Sequence, residues 1–152
     1  MRQPAKMRCP WILLLILCVP VLASAAERAE QSCPVHIGHI ELTYNHAGGQ
    51  SKPQLSLMFD NTATKRIVSA TFALLVLDAN GYPRPYDDPF IDTTELDSGK
   101  TRLKTWELAP EKVDIHRTGE TVILQSVEFD DRSKWEDDGT ETCSLTVDYH
   151  PK

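Results

Sequence analysis

The sequence predicts an all-β protein, a single antiparallel two-sheet sandwich of about seven strands. Three observations carry that expectation. Apolar residues recur with period two, as in Leu55, Leu57 and Phe59 or Leu145, Val147 and Tyr149. Clusters of Gly, Pro, Asn and Asp punctuate the chain at short intervals. No amphipathic stretch of about ten or more residues has helical spacing.

Taken in order, Val35 to Ile37 and Ile40 to Tyr44 alternate, with the parity slipping at Gly38-His39 as it does at a β-bulge. Asn45 to Pro53 is turn material, and Gln54 to Phe59 restarts a strand with Leu55, Leu57 and Phe59 on one side. Asp60 to Thr64 turns again. Ile67 to Leu77 is the most apolar stretch, apolar on both parities toward its end, which predicts a central strand covered on both sides. Asp78-Ala-Asn-Gly81 stops it as a hairpin turn. Tyr82 to Phe90 holds three prolines in nine residues, which forbids a central strand and predicts an extended loop or ragged edge leading into Ile91 to Thr94. Leu96 to Lys100 is a turn. Thr101 to Leu108 is a strand with Leu103, Thr105 and Glu107 on one face and Trp106 and Leu108 on the other. Pro110 to Gly119, with Val113 and Ile115, connects to the strong strand Thr121 to Phe129. Asp130 to Ser133 turns back to Lys134-Trp135, and Asp137 to Gly139 turns once more before Cys143 to Tyr149.

The first 25 residues have the pattern of an export signal. Arg2, Lys6 and Arg8 precede the apolar run Trp11 to Leu22, and Ala23-Ser24-Ala25 supplies the small residues a signal peptidase reads. Twelve apolar residues fall short of the roughly 20 a transmembrane helix needs. A lipoprotein reading would use Cys18, but the bulky Leu17 before it is wrong for that modification. Cleavage after Ala25 would leave one domain, residues 26–152, near the commonest domain size, exported to a periplasmic or extracellular location without a membrane span. Removing three basic residues and no acid leaves 13 Lys+Arg against 22 Asp+Glu, a net charge of −9. Such a chain should be repelled by nucleic acid and anionic membranes, which are bound through basic patches.

Cys9 and Cys18 leave with the signal, and Cys33 and Cys143 remain in a compartment where disulfides persist. They should pair and tie the ends of the domain together. A redox or zinc role is disfavoured, since there is no C-x-x-C and two isolated cysteines do not complete a zinc site.

The strand Phe72 to Leu77 ending in Asp78-Ala-Asn-Gly81, with the later Leu96-Asp-Ser-Gly99-Lys-Thr101, resembles the FxLYD-like, immunoglobulin-like domains of small exported bacterial proteins, largely uncharacterised. Val127 to Asp131 with Trp135 is similar to a Phe-x-Asp-Gly-x-x-Trp hairpin found in such proteins, although Arg132 stands at the glycine position. The resemblance covers about half of the mature chain and implies an immunoglobulin/fibronectin-like sandwich in an exported protein, with no catalytic residues to carry over.

Site chemistry is sparse. G-x-S-x-G, H-E-x-x-H, P-loop and G-x-G-x-x-G patterns are absent. His36, His39 and His46 come nearest to a metal cluster, but His36 and His39 share a face only if the bulge at Gly38 restores parity, so no metal is assigned. Asp87, Asp88 and Asp92, and separately Asp137, Asp138 and Glu141, could hold calcium, but neither run has EF-hand spacing and solvated turns explain them. No cofactor is implied. The segment richest in contact chemistry is Tyr82-Pro-Arg-Pro-Tyr86, where Tyr82, Arg84 and Tyr86 are held by prolines as in a binding loop, the plainer role being an edge-strand guard. The function expected is therefore an exported non-catalytic module binding a protein, glycan or envelope component. The alternative is a small secreted hydrolase with an unrecognised carboxylate or histidine site.

Overall fold

In the computed structural model, residues 32–45, 52–113 and 116–149 are described, all within one unit, Gln31–Lys152. The expected signal segment, His46 with the turn around it, and Ile115 lie outside the described residues. Among the described residues the strands are β1 Val35–Asn45, β2 Lys52–Asn61, β3 Ile67–Leu77, β4 Pro83–Pro85, β5 Phe90–Asp92, β6 Thr101–Glu107, β7 Gly119–Phe129, β8 Lys134–Glu136 and β9 Ser144–Asp148, with a 3₁₀ turn at Pro110–Lys112.

Two antiparallel sheets result. One has the order β1-β2-β6. The other is built on the long pair β3–β7, and each outer edge of that pair carries two short strands end to end. β4 and β5 line β3, and β8 and β9 line β7. In immunoglobulin lettering this is A-B-E facing C′-C-F-G. The nine strands exceed the expected seven because both edges of the larger sheet are split, which shortens each exposed edge available for pairing with another chain.

The bulge at Gly38 explains how β1 keeps one face inward. The register passes from Ile37 opposite Phe59 to His39 opposite Met58, so Val35, Ile37, Ile40 and Leu42 are all buried. Leu55, Leu57 and Phe59 of β2 meet Ala70, Phe72, Leu74 and Val76 of β3 and Val122, Leu124 and Val127 of β7 in one core. β3 is central as expected, but its other face is only half-buried at Thr71, Ala73, Leu75 and Leu77, so double coverage does not hold. The core is threaded by aromatic contacts. Phe72 lies 5.1 Å from Phe59 and 6.4 Å from Trp106, and Phe90 lies 5.6 Å from Trp106 and 5.3 Å from Tyr86.

The turn motifs have local causes. In Asp78-Ala-Asn-Gly81 the Asp78 carboxylate accepts from the Asn80 and Tyr82 amides, and Gly81 takes φ +80°, which a side chain would disfavour. Gly99 takes φ +70° and donates to the Asn61 carbonyl. Asn61, fully buried, gathers the same corner by donating to the Lys65 and Leu96 carbonyls and accepting from the Ala63 amide. Arg132, at the glycine position of the hairpin motif, adopts φ +68°, a left-handed conformation that costs a non-glycine residue about 1–2 kcal/mol.

Cys33 and Cys143 form a disulfide with Cα atoms 5.5 Å apart across a separation of 110 residues. It joins the approach to β1 in one sheet to the approach to β9 in the other, so the two sheets are bonded where their edges meet.

Candidate functional site

The proline-held segment is a ragged edge. Pro83 to Pro85 pair with Leu75 to Leu77 of β3, and all three are exposed. Tyr82 is 66% exposed, whereas the Arg84 guanidinium turns back to the Asp78 carboxylate at 3.3 Å. Tyr86 is half-buried against Phe90, its hydroxyl accepts from the Ala109 amide at 3.1 Å, and Lys112 sits 5.3 Å over its ring. Arg84 also lines a cleft of about 420 Å³ with Val76, Asp78, Glu111, Lys112 and Val113. The three residues therefore do not form one presented surface. Tyr82 projects, Arg84 buttresses a turn and Tyr86 belongs to packing.

Histidines and carboxylates are engaged locally. The bulge does bring His36 and His39 to the outer face together, but no group of three His, Cys, Asp or Glu able to hold a metal occurs among the described residues. His36 Nδ1 lies 3.2 Å from Asp60, which also accepts from the Thr101 hydroxyl at 2.5 Å. The Thr101 bond, then His36, hold the Asp60 carboxyl below its ordinary 3.8. Of the runs considered for calcium, Asp87 and Asp88 face Lys112, while Asp137 and Asp138 accept from the amides of their own turns. Asp92 is buried between the sheets, 3.5 Å from Arg102 and 3.6 Å from Lys104 of β6.

A second buried carboxylate closes the opposite side of the sandwich. Glu120 has no exposed surface. It accepts from the Tyr149 hydroxyl and lies 3.7 Å from Arg117, whose guanidinium is stacked between the Tyr44 and Tyr149 rings and donates to the Leu42 carbonyl at 2.5 Å. Burial pushes the Glu120 carboxyl above its ordinary 4.5, against the opposing pull of Tyr149 and Arg117. Burial and this carboxylate in turn hold Tyr149 up at about 12.

A raised carboxyl binds its proton more tightly folded than unfolded. Its stabilising contribution is complete below 4.5 and is lost as pH rises above 4.5 through the raised folded value. Asp60, Asp78 and Asp131, all lowered by hydrogen bonds, act in the opposite sense and lose their contribution as pH falls below 3.8. The Tm of a Glu120→Gln variant should therefore decline less than wild type as pH rises from about 4.5 to neutrality, with the acid limb unchanged. Parallel Tm curves above that pH would remove Glu120 from the account.

A concavity of about 920 Å³ lies at the disulfide end. The Cys33–Cys143 bridge, Phe129, Trp135 and Leu145 give it an apolar floor, and its rim holds Lys65, paired with Asp131 at 2.7 Å, and Lys134, 3.9 Å from Glu128. Trp135 is 6% exposed and its indole Nε1 has no hydrogen-bond partner. A buried donor left unpaired costs about 1–3 kcal/mol, and this N–H is itself sealed within the packing. Sequence reasoning missed the groove, since its walls come from four separate segments. The Asp-Asp-Arg-Ser turn that pins Trp135 opposite Val127 is the signal that could have marked its floor.

No protein-family model matches the sequence, and no curated protein matches it. The structure is similar to a hypothetical protein from Peptoclostridium difficile 630, with TM-score 0.50 and 12% identity, covering 72% of this chain and 89% of that one. A Northeast Structural Genomics Consortium target is similar at TM-score 0.44 and 10% identity, covering 78% of this chain and 96% of its own. At 12% identity the first likeness shows a shared fold and nothing of function.

Proposed function

We propose that the chain is an exported, non-catalytic β-sandwich module that binds a protein, glycan or envelope component in the groove at its disulfide end. The observation that carries this reading is a groove of about 920 Å³ with an apolar floor of the Cys33–Cys143 bridge, Phe129, Trp135 and Leu145, a volume within the range of ligand sites. The disulfide and the signal-like first 25 residues support export. The resemblance to FxLYD-like exported domains points the same way. Tyr82 is the exposed remnant of the proline-held candidate and serves as the competing site.

Immobilised residues 26–152 should capture a component from an envelope extract. Thr64→Trp with Ser144→Trp, two exposed groove-wall positions, should lower that capture by about tenfold or more without shifting Tm, as expected when a binding surface is blocked. Tyr82→Ala with Arg84→Ala should leave it intact. The reverse pattern would move the site to the proline-held edge.

A further inference from the structure

The outer face of the three-stranded sheet brings two imidazoles and a thioether together. The bulge in β1 turns His36, Gly38 and His39 all to solvent, and β2 sets Asp60 opposite His36 and Met58 opposite His39. Gly38 supplies no side chain between them. A Cβ on that residue would stand 3.5 Å from the Met58 methyl carbon and 4.0 Å from His36 Cε1, so both side chains border one open space above the bulge. His39 reaches the same space from across the ladder.

The His36 ring is already oriented as a ligand. Its Nδ1 lies 3.2 Å from one oxygen of the Asp60 carboxylate, whose other oxygen accepts from the Thr101 hydroxyl. With Nδ1–H donated to that carboxylate, Nε2 is the ring atom that carries the free lone pair. Such a bond from one ring nitrogen to a carboxylate is the usual support of a metal-bound histidine, because it fixes both tautomer and ring orientation. His39 has no hydrogen-bond or ion-pair partner among the described residues.

The donor set selects the ion. No three His, Cys, Asp or Glu group for a metal among the described residues, and both Asp60 oxygens are engaged, so the third donor available to the two imidazoles is the Met58 sulfur. Hard cations take oxygen ligands and gain little here. A thioether favours Cu(I), and imidazole binds copper as well. Met58 is unbranched and 38% exposed, so its sulfur can swing to the ion, and Leu103, opposite it on β6, gives it an apolar flank.

We propose that His36 Nε2, a ring nitrogen of His39 and the Met58 thioether bind one Cu(I) ion on the outer face of the β1–β2 pair. Asp60 is the positioning residue and acts through His36. The site does not depend on what the groove binds.

The test uses residues 26–152 with the Cys33–Cys143 bridge intact. That chain holds all the described strands, has no free thiol to compete for copper and has Met58 as its single methionine. Cu(I), kept reduced by ascorbate without oxygen, is titrated in and followed by NMR of the Met58 methyl and the histidine rings, with affinity read by competition with the chelator ferrozine. The Met58 methyl and the His36 and His39 ring signals should move together and saturate at one equivalent, with His36 still protonated on Nδ1. Met58→Leu keeps the side-chain volume and should leave Tm nearly unchanged, yet lower the affinity by about tenfold or more. His36→Gln and His39→Gln should do the same to the affinity, and His116→Gln should not. Asp60→Asn should weaken binding by about tenfold and move the His36 tautomer signals, which a purely structural role would leave in place. Zn(II) should not move the Met58 methyl. No saturable shift with Cu(I), or an affinity unchanged in Met58→Leu, overturns the site. A Zn(II) shift of the Met58 methyl equal to that with Cu(I) overturns the choice of ion.

Discussion

Replacing Phe72 with alanine is expected to destabilise the protein by about 3–5 kcal/mol, enough to remove a large part of the stability of a domain this size. Phe72 has no exposed surface and stands in the middle of β3, with Phe59 of β2 on one side and Trp106 of β6 on the other. Truncation removes the transfer energy of a whole ring and leaves a cavity where both sheets meet, and neither β3 nor β2 can collapse to fill it without breaking its ladder. Leu74→Ala should cost about 2–5 kcal/mol for the same reason. Lys65→Ala serves as the control. Its pair with Asp131 at 2.7 Å is solvent-exposed, so the change should stay within about 1 kcal/mol. Urea unfolding followed by fluorescence checks all three, with similar m-values expected across the set. A Phe72→Ala protein unfolding at the wild-type midpoint would contradict the packing described for the core.

Loss of the Cys33–Cys143 bridge should have a comparable effect, about 2–5 kcal/mol, whether by reduction or by a double serine replacement. The closed loop spans 110 residues, for which the ideal chain-entropy contribution is about 4–5 kcal/mol. Both half-cystines line the groove, so on the proposed function the reduced protein should bind more weakly as well as unfold sooner. On the proposed export and cleavage, the intact mass should equal residues 26–152 less two hydrogens. Two free thiols in that species would contradict the pairing described, and lipid on Cys18 would contradict the proposed processing.

Much of this fold was legible because strand signals are local. Gly38 marked the bulge, the alternation in Leu55 to Phe59 marked the inward face of β2, and three prolines marked a ragged edge. The split of each edge of the larger sheet into two short strands was not legible, since three residues such as Phe90 to Asp92 carry too little periodicity to declare a strand. Glu120 falls in sequence between the connector ending at Gly119 and the strand starting at Thr121, with nothing to mark it as buried. Its burial depends on Arg117, Tyr44 and Tyr149 arriving from other elements. Tyr82 and Tyr86 are close along the chain but flank opposite ends of β4, and the Tyr86 ring packs on Phe90 while Tyr82 faces solvent. The groove was the least legible feature, because it arises where the edges of two sheets meet and no single segment contains it.

The most direct test of the groove as the binding site is hydrogen–deuterium exchange on immobilised residues 26–152 before and after exposure to envelope extract. Slowed exchange is expected in residues 33–40 and 134–145 after capture, with residues 82–90 unchanged. Slowing confined to residues 82–90, or none in either groove wall while a component is plainly retained, would contradict it.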